Sequence, residues 1–244
     1  MSEFLEQSFF IRSSDTDLNA HLRPSALLSL CQDAADSHAA LQQCDRRCLV
    51  RDYGAVWLLT RMYFHLDRPL YAGETLTIRT WQRPAEKLMV YRDYDFLHEG
   101  ELVGEGVSAW VIAGEQDRKM MRPTDIPAIV QADRPAQVKS LRLKPIRRPA
   151  QPETVYTRTV RWSDLDVNGH MNNAKYTYAL FDSFSSRELK EDPVTMLEVI
   201  FKNQTREGDT LKFFRRFNPD GSTDIRADNQ SGTAIYARLE RQKQ

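Results

Sequence analysis

Long apolar stretches are missing from this chain of 244 residues. Its longest apolar runs, such as residues 55–59 and 109–113, are far shorter than the ~18 residues that a membrane-spanning helix needs. The acidic N-terminus also lacks the basic segment and apolar run that together form a secretory signal peptide. The sequence therefore predicts a protein of the cytoplasm without a membrane span.

Cysteine is scarce, and its three copies lie in one short stretch at Cys31, Cys44 and Cys48. An odd number clustered in this way cannot form a disulfide framework. Cys44 and Cys48 have helical i,i+4 spacing, but of the histidines only His38 lies close, which leaves a four-ligand metal site incomplete. We therefore expect reduced thiols of the kind found in the cytosol, and no metal site.

The formal net charge is zero, and the chain-breaking residues glycine and proline are few. Lys and Arg number 34, as do Asp and Glu, whereas a nucleic-acid-binding domain is typically strongly basic, so we predict no nucleic-acid partner. With 10 glycines and 11 prolines the chain is not fibrous or of low complexity, and 41% hydrophobic residues are too many for disorder. The length suits one large domain or two small ones.

The chain contains an internal repeat. Residues 11–22 and 160–171 are related by a constant offset of 149, and six of the twelve positions are identical. The identical pairs are Arg12 and Arg161, Ser14 and Ser163, Asp15 and Asp164, Asp17 and Asp166, Asn19 and Asn168, and His21 and His170. Repeats of this kind indicate two structural units of the same type.

The segments after each copy are also alike. Apolar periodicity predicts helices over 24–41 and 173–189, and Pro24 suits the first turn of the former. Strands are predicted in the first half at 56–66, 75–81, 90–98 and 102–113, and in the second at 196–201, 210–217, 223–227 and 233–241. Each half thus reads as an α+β layer in which one helix covers one antiparallel sheet.

A basic, proline-containing stretch separates the two halves. Residues 133–151 carry several prolines and no glycine, which predicts a stiff, extended linker. We therefore divide the chain into an N-terminal module at 1–132, the linker at 133–151 and a C-terminal module at 152–244. A linker of this length would allow the two modules to lie side by side as a pseudo-dimer.

The second copy of the repeat could carry chemistry. Asp166, Asn168 and His170 alternate along the chain, so in an extended segment they share one face beside the N-terminus of a helix. The carboxylate could act as a base or a nucleophile, and the amide or backbone N–H groups could stabilise an oxyanion. Alternatively, these residues only cap the helix and form its turn; the duplication favours the functional interpretation.

Residues 164–176 resemble the active-site signature of the acyl-acyl carrier protein (acyl-ACP) thioesterases. Residues 57–61, 80–81, 91–94 and 108–111 are similar to the N-terminal half of that family. The resemblance implies a double hot-dog fold, in which two long helices are each wrapped by a curved antiparallel sheet. It implies hydrolysis of fatty acyl-ACP to free fatty acid in fatty acid biosynthesis, without metal or redox cofactor. Plant members carry a transit peptide, which this sequence lacks, so a bacterial, cytosolic type is expected.

The resemblance also assigns site residues. Asp166, Asn168 and His170 match the Asp, Asn and His of the family, whereas its Glu and Cys are replaced by Gln204 and Thr205. Gln204 could orient water or hydrogen-bond the thioester but cannot act as a base. The resemblance therefore implies that Asp166 is the base or the nucleophile. It does not assign separate roles to Asn168 and His170.

The first copy is predicted to be vestigial, with a second working site as the alternative. Pro69 occupies the position of Gln204, and Arg23 and Pro24 replace two asparagines. The resemblance implies that this half shapes the acyl pocket and the chain-length preference. The candidate pocket residues, each of which could instead be ordinary core, are Leu27, Leu30, Met62, Phe64, Met89 and Trp110.

Acyl carrier protein is the expected partner. This acidic protein could bind the basic residues of the linker; alternatively, these residues are only solvated. These residues are Arg142, Lys144, Arg147 and Arg148. An acyl-CoA thioesterase, a hot-dog dehydratase and a non-catalytic acyl-binding protein remain alternatives, and a homodimer stays open.

Overall fold

One antiparallel sheet runs through both halves of the chain. The computed structural model describes residues 4–130, 154–191 and 193–241. The strands, in chain order, are β1 (Leu5–Phe10), β2 (Ala55–Leu66), β3 (Thr75–Gln82), β4 (Val90–His98), β5 (Glu101–Gly114), β6 (Met120–Met121), β7 (Thr154–Thr159), β8 (Val194–Phe201), β9 (Thr210–Phe217), β10 (Thr223–Asn229) and β11 (Gly232–Arg241). All eight strands predicted from the sequence are present, and their ends shift by at most two residues.

The order of the strands repeats the internal symmetry of the sequence. The sheet reads β1-β3-β4-β5-β2-β8-β11-β10-β9-β7, with β6 paired to β5. From the centre outward, β2-β5-β4-β3-β1 on one side corresponds to β8-β11-β10-β9-β7 on the other. The expected side-by-side arrangement of the two halves is therefore present in the strand order.

Strands β2 and β8 join the two halves. Their antiparallel register pairs Arg61 with Ile200 and His65 with Met196. The Arg61 guanidinium forms an ion pair with the Glu198 carboxylate across this junction, and both side chains are largely buried. Backbone hydrogen bonds and a shielded ion pair thus fasten one half to the other.

Within the described ranges, five α-helices accompany the sheet: α1 (Pro24–Leu41), α2 (Arg46–Tyr53), α3 (Pro127–Val130), α4 (Asn173–Phe181) and α5 (Ser186–Glu191). Helix α1 has the predicted bounds, begins with Pro24 and buries the face that carries Leu27, Cys31 and Ala34. The chain forms α2 where the sequence suggested only a helical cysteine spacing. Its N-cap is Asp45, which accepts the N–H of Cys48, and Gly54 ends the helix in the left-handed region at φ 59°.

The expected single helix over 173–189 is wrong. Helix α4 ends at Phe181, after which the N–H of Phe184 bonds the carbonyl of Phe181 in a tight turn. The Ser183 hydroxyl bonds the carbonyl of Leu180 at 2.6 Å, and Ser185 exchanges hydrogen bonds with Glu188 at the start of α5. These serines bond to the backbone locally and so compete with continuation of the helix.

The main hydrophobic core draws residues from both halves. It includes Leu28 and Phe64 from the first half and Leu180 and Phe213 from the second, all of them buried. The linker predicted at 133–151 and its basic residues lie outside the described residues. Among the residues that are described, no helix is long and apolar enough to cross a membrane.

Candidate active site

The second copy of the repeat forms a tight turn that fixes a carboxylate. Asp166 Oδ1 accepts the backbone N–H of Asn168 at 2.8 Å and that of His170 at 3.4 Å. The N–H of Asp166 donates to the carbonyl of His170 at 2.8 Å and closes the turn. Gly169 lies within it at φ 72°, a left-handed conformation that glycine adopts without a steric penalty. The turn thus determines the position of the Asp166 side chain.

All four predicted site residues line one cavity of about 550 Å³. His170 is buried, Asp166 and Asn168 are half-buried, and Gln204 is exposed in the loop between β8 and β9. A hydrogen bond of 2.9 Å from the N–H of Met171 to the carbonyl of Thr205 holds that loop against the turn. The fold therefore brings together side chains that are up to 38 positions apart in the sequence.

The opposite wall of this cavity comes from the first half of the chain. It includes Gln32 of α1, Trp57 and Thr60 of β2, and Trp110 of β5. The register of β2 against β5 shifts between Leu59 and Arg61, which is a β-bulge beside the cavity. A bulge redirects the side chains around it, so this irregularity shapes the wall that the first half contributes. The cavity lies between the halves and needs both.

Arg46 is a cavity residue that the sequence patterns did not reveal. It is on helix α2, and its guanidinium donates to Asn168 Oδ1 at 3.3 Å and to Glu115 at 3.2 Å. Because Oδ1 of Asn168 is thereby occupied, the Nδ2 group of this amide remains as a donor toward a ligand. The capping signal of Asp45 before the helix could have located α2 but not its contact with Asn168.

The histidine of the turn is held in its neutral form. Burial, followed by the positive charges of Arg118 and Arg206, lowers the pKa of His170, and the Asp166 carboxylate only partly opposes this shift. Its Nδ1 atom is buried and has no hydrogen-bond partner among the described residues. A neutral imidazole has one donor and one acceptor nitrogen, so His170 can still hydrogen-bond a ligand or water.

Tyr176 stabilises the loop that carries Gln204. Its hydroxyl lies 2.5 Å from the hydroxyl of Thr205 and donates to the carbonyl of Asn203 at 3.4 Å. Burial raises the pKa of Tyr176 to about 12, so the phenol stays protonated at neutral pH. Thr205 is fully buried, and its hydroxyl acts here as a structural contact.

None of the three thiols lines this cavity, and all three are protonated. Burial raises the pKa of Cys31 well above its ordinary value and that of Cys44 to about 11. A hydrogen bond with Asp45 raises the pKa of Cys48. Thiolates, not thiols, are the nucleophilic form, and all three cysteines are free. Among the described residues no group of three or more His, Cys, Asp or Glu side chains is arranged to hold a metal ion.

The first copy of the repeat has the same backbone geometry. Asp17 Oδ1 accepts the N–H of Asn19 at 2.8 Å and that of His21 at 3.0 Å. Ala20 occupies the position of Gly169 and has φ 63°. The copies differ at the start of the next helix: Pro24, which has no N–H, opens α1, whereas Asn173 opens α4.

The candidate acyl-pocket residues separate into three groups. Trp110 lines the cavity, as does Trp57, and the two indoles pack edge to face with ring centroids 6.4 Å apart. Leu27, Met62 and Phe64 are buried in the main core. Leu30 and Met89 are half-buried and do not line the cavity.

Two family descriptions match the chain in tandem. The acyl-ACP thioesterase N-terminal domain matches residues 3–129, and the acyl-ACP thioesterase C-terminal domain matches residues 148–238. A chloroplastic acyl-[acyl-carrier-protein] hydrolase of Cuphea viscosissima is 23% identical over 236 residues, covering 89% of this chain and 56% of that protein. The chain spans about half the length of the curated relatives it matches.

Solved structures share the architecture over the whole chain. An acyl-ACP thioesterase from Bacteroides thetaiotaomicron has a TM-score of 0.87 at 22% identity, covering 99% of this chain and 100% of that one. The 12:0-ACP thioesterase from Umbellularia californica has a TM-score of 0.89 at 19% identity, covering 100% and 99%. At these identities the likeness concerns the fold, and it confirms the double hot-dog architecture expected from the sequence.

Proposed function

The chain belongs to the acyl-ACP thioesterase family, and on this premise we propose that it hydrolyses the thioester of fatty acyl-ACP and releases free fatty acid. One observation carries the proposal: Asp166, Asn168, His170 and Gln204 line a single cavity whose opposite wall is aromatic and comes from the other half. A thioester at the turn would have its acyl chain directed toward that wall. One chain supplies both halves, so the proposed site requires no second copy.

Asp166 supplies the base in the proposed reaction. Its Oδ1 is engaged by two backbone N–H groups, which leaves the other carboxylate oxygen to accept a proton from water. The water oxygen forms a bond to the thioester carbonyl carbon, and its proton passes to Asp166. The C–S bond then breaks, and the proton moves to the departing sulfur, giving a free acid and a thiol. Gln204, which cannot accept a proton at neutral pH, orients the water.

Two donors close to the turn in sequence are available for the developing oxyanion. Asn168 presents its Nδ2 group because Arg46 holds the amide oxygen. The N–H of Asn173 opens helix α4 and has no hydrogen-bond partner among the residues described, whereas Asn172 caps the next N–H, that of Ala174. Such preorganised donors stabilise the charge that forms in acyl transfer.

His170 positions the thioester in this scheme. Its lowered pKa keeps it neutral at pH 7, so that it adds no positive charge beside Arg118 and Arg206 and can donate one hydrogen bond. We assign it the carbonyl or sulfur of the bound thioester as partner. The protonated form would lack an acceptor nitrogen and would place three cations together.

The lining of the cavity also suggests different roles for the two modules. We propose that residues 152–244 carry the catalytic turn and that residues 1–132 form the acyl pocket around Trp57 and Trp110. The Nε1 of Trp57 donates to the Cys44 carbonyl and that of Trp110 to the Ser108 hydroxyl, so both indoles are satisfied as donors. Their ring surfaces are then free to contact a hydrocarbon chain.

The carrier is proposed to be acyl carrier protein. Three exposed or half-exposed cations, Arg46, Arg118 and Lys202, line the cavity and suit a phosphate-bearing prosthetic arm on an acidic protein. A bacterial, cytoplasmic setting is part of the proposal, whereas the plant relatives are named as chloroplastic.

A hydrolysis panel tests the proposal. Acyl-ACPs of different chain length are compared with the matching acyl-CoAs at equal concentration, and release of free thiol is measured. We expect turnover of acyl-ACP with a higher kcat/KM than that of acyl-CoA. Preference for acyl-CoA would make the protein an acyl-CoA thioesterase, and tight binding without turnover would make it a non-catalytic acyl-binding protein.

A further inference from the structure

A second cavity of about 330 Å³ lies at the first copy of the repeat. The turn residues Asp17 and His21 line it on one side, together with Pro69. The second half of the chain lines the other side through α4, α5 and the start of β8, and contributes Phe181 and Leu189. It shares no lining residue with the cavity around Asp166.

The two cavities are counterparts in the internal repeat. Asp17 corresponds to Asp166 and His21 to His170, and Pro69 stands where Gln204 stands. The opposite walls also correspond, because the offset of 149 relates Gln32, which lines the cavity around Asp166, to Phe181. A polar wall residue of that cavity is thus an aromatic one here. The duplication has preserved a cavity in each half, whereas the lining of the two cavities differs.

Most of the lining of the second cavity is apolar, and it suits an alkyl chain. The apolar residues include Leu22, Leu66, Leu70, Phe181, Phe184 and Leu189. Apolar surface of this kind binds hydrocarbon because the contact removes both surfaces from water. The groups needed for hydrolysis are missing at the matching positions: Pro24 offers no N–H for an oxyanion, and Pro69 has no amide to orient water.

Arg23 supplies the charge that a carboxylate would need. Its guanidinium donates to the Ser14 carbonyl at 2.9 Å and lies 5.7 Å from the centre of the Tyr178 ring, and no carboxylate pairs with it in the part of the chain that the structure describes. Nearby Asp182 pairs with Arg158 at 3.5 Å. The Oδ1 of Asp17 is engaged by backbone N–H groups. The guanidinium therefore keeps donors for an anion.

Two buried nitrogen atoms of the same turn also lack hydrogen-bond partners within the described ranges. They are Nδ2 of Asn19, which does not line the cavity, and Nδ1 of His21, a lining residue, which lies 3.9 Å from Asp17 Oδ2, beyond hydrogen-bond distance. Buried polar atoms are normally satisfied, so an unpartnered Nδ1 of His21 in the cavity wall indicates a bound group or water. We propose that the second cavity binds one fatty acid without hydrolysing it, with the carboxylate at Arg23 and the alkyl chain against the apolar wall.

The choice of fatty acid as the ligand rests on the proposed function, because this is the product that hydrolysis would release. Binding and turnover are measured separately, so the two proposals can fail separately. A protein that binds fatty acid at this cavity but does not turn over acyl-ACP would refute the proposed function alone. A protein with turnover and no second site would refute this inference alone.

Isothermal titration with dodecanoate tests the inference. Leu189 is a half-buried residue of α5 that lines the second cavity, so Leu189→Trp should fill that cavity. We expect this variant to bind one equivalent of dodecanoate fewer than the wild type and to keep its turnover. The matched variant Leu58→Trp fills the cavity around Asp166 from a half-buried position; it should keep that equivalent and lose turnover. The proposal is overturned if Leu189→Trp binds as many equivalents of dodecanoate as the wild type does.

A second variant tests the carboxylate contact and leaves the cavity open. Arg23→Gln should weaken dodecanoate at the second site by about tenfold or more, because it removes a charge-assisted hydrogen bond. Dodecanol, which has no carboxylate, should bind this site equally well in the wild type and in Arg23→Gln. Equal dodecanoate affinity in the two proteins would overturn the placement at Arg23, whether or not Leu189→Trp folds.

Discussion

Replacing Asp166 by Asn should abolish most turnover and preserve the turn. The Asn carbonyl oxygen can accept the same two N–H groups, those of Asn168 and His170, that Asp166 Oδ1 accepts. The substitution removes the proton acceptor. Removal of a general base lowers rates by about 10²–10⁴-fold, which corresponds to ~3–5 kcal/mol of transition-state stabilisation. We expect a loss in kcat of this size, measured as thiol release from acyl-ACP.

The chain contains its own control for this experiment. Asp17 accepts the same two N–H groups in the first copy, at 2.8 Å and 3.0 Å, so Asp17→Asn makes the same chemical change in the same turn. A hydrogen bond to a charged acceptor stabilises a protein by about 1 kcal/mol more than one to a neutral acceptor. Each variant should therefore lose a similar small amount of thermal stability. Only Asp166→Asn should lose turnover.

Two results would refute this reasoning. Near-wild-type kcat in a folded Asp166→Asn protein would show that Asp166 is not the base. Equal loss of kcat in the two variants would show that both turns work or that the effect is structural. A single-turnover reaction in ¹⁸O-labelled water adds a further check: label confined to the fatty acid shows that water attacks the acyl carbon, and label in the enzyme's carboxylate would instead make Asp166 a nucleophile.

Four further substitution experiments test the proposed mechanism and its alternatives. A variant with all three cysteines replaced by Ser should keep its thioesterase turnover if it folds, and loss of turnover with an intact fold would revive a cysteine mechanism. His170→Ala should lower kcat by about 10²-fold or more, whereas His21→Ala should mainly change stability or chain-length preference; equal losses of kcat would contradict a single site. Arg118→Gln should move the acidic limb of the kcat/KM profile to higher pH, since removing this charge raises the pKa of His170 and protonation then begins earlier on acidification; an unmoved limb would argue against a neutral His170 as the active form. Arg46→Met should lower kcat by about 2–10-fold through the lost hydrogen bond to Asn168, and unchanged kcat would remove Arg46 from the site.

The sequence predicted most of the fold because its signals were local. The alternation and turn residues around β2 to β5 located those strands to within a residue, and Pro24 marked the first residue of α1. The break after Phe181 was missed because apolar periodicity continues through residues 182–189. There the serines bond to the backbone over three residues, and periodicity does not register such bonds.

The candidate site was predictable in part, for the same reason. Asp166, Asn168 and His170 belong to one short repeat, and the turn that groups them is formed by hydrogen bonds within five residues. Arg46 contacts Asn168 from 122 positions away, and no pattern in a single sequence carries that information. Leu27 and Phe64 show a second limit of the sequence. Both were candidate pocket residues, but a large apolar residue can equally well belong to the core, as these two do.

The junction between β2 and β8 determines what would happen if the halves were separated. Cutting there would expose two strand edges whose N–H and C=O groups have lost their partners, and such edges associate with other chains. Arg61 and Glu198 would each be left without the opposite charge that compensates their burial. We therefore expect an isolated second half to pair its β8 edge with that of another copy. In the resulting symmetric dimer, a second copy of this half would stand where the first half now supplies the aromatic wall.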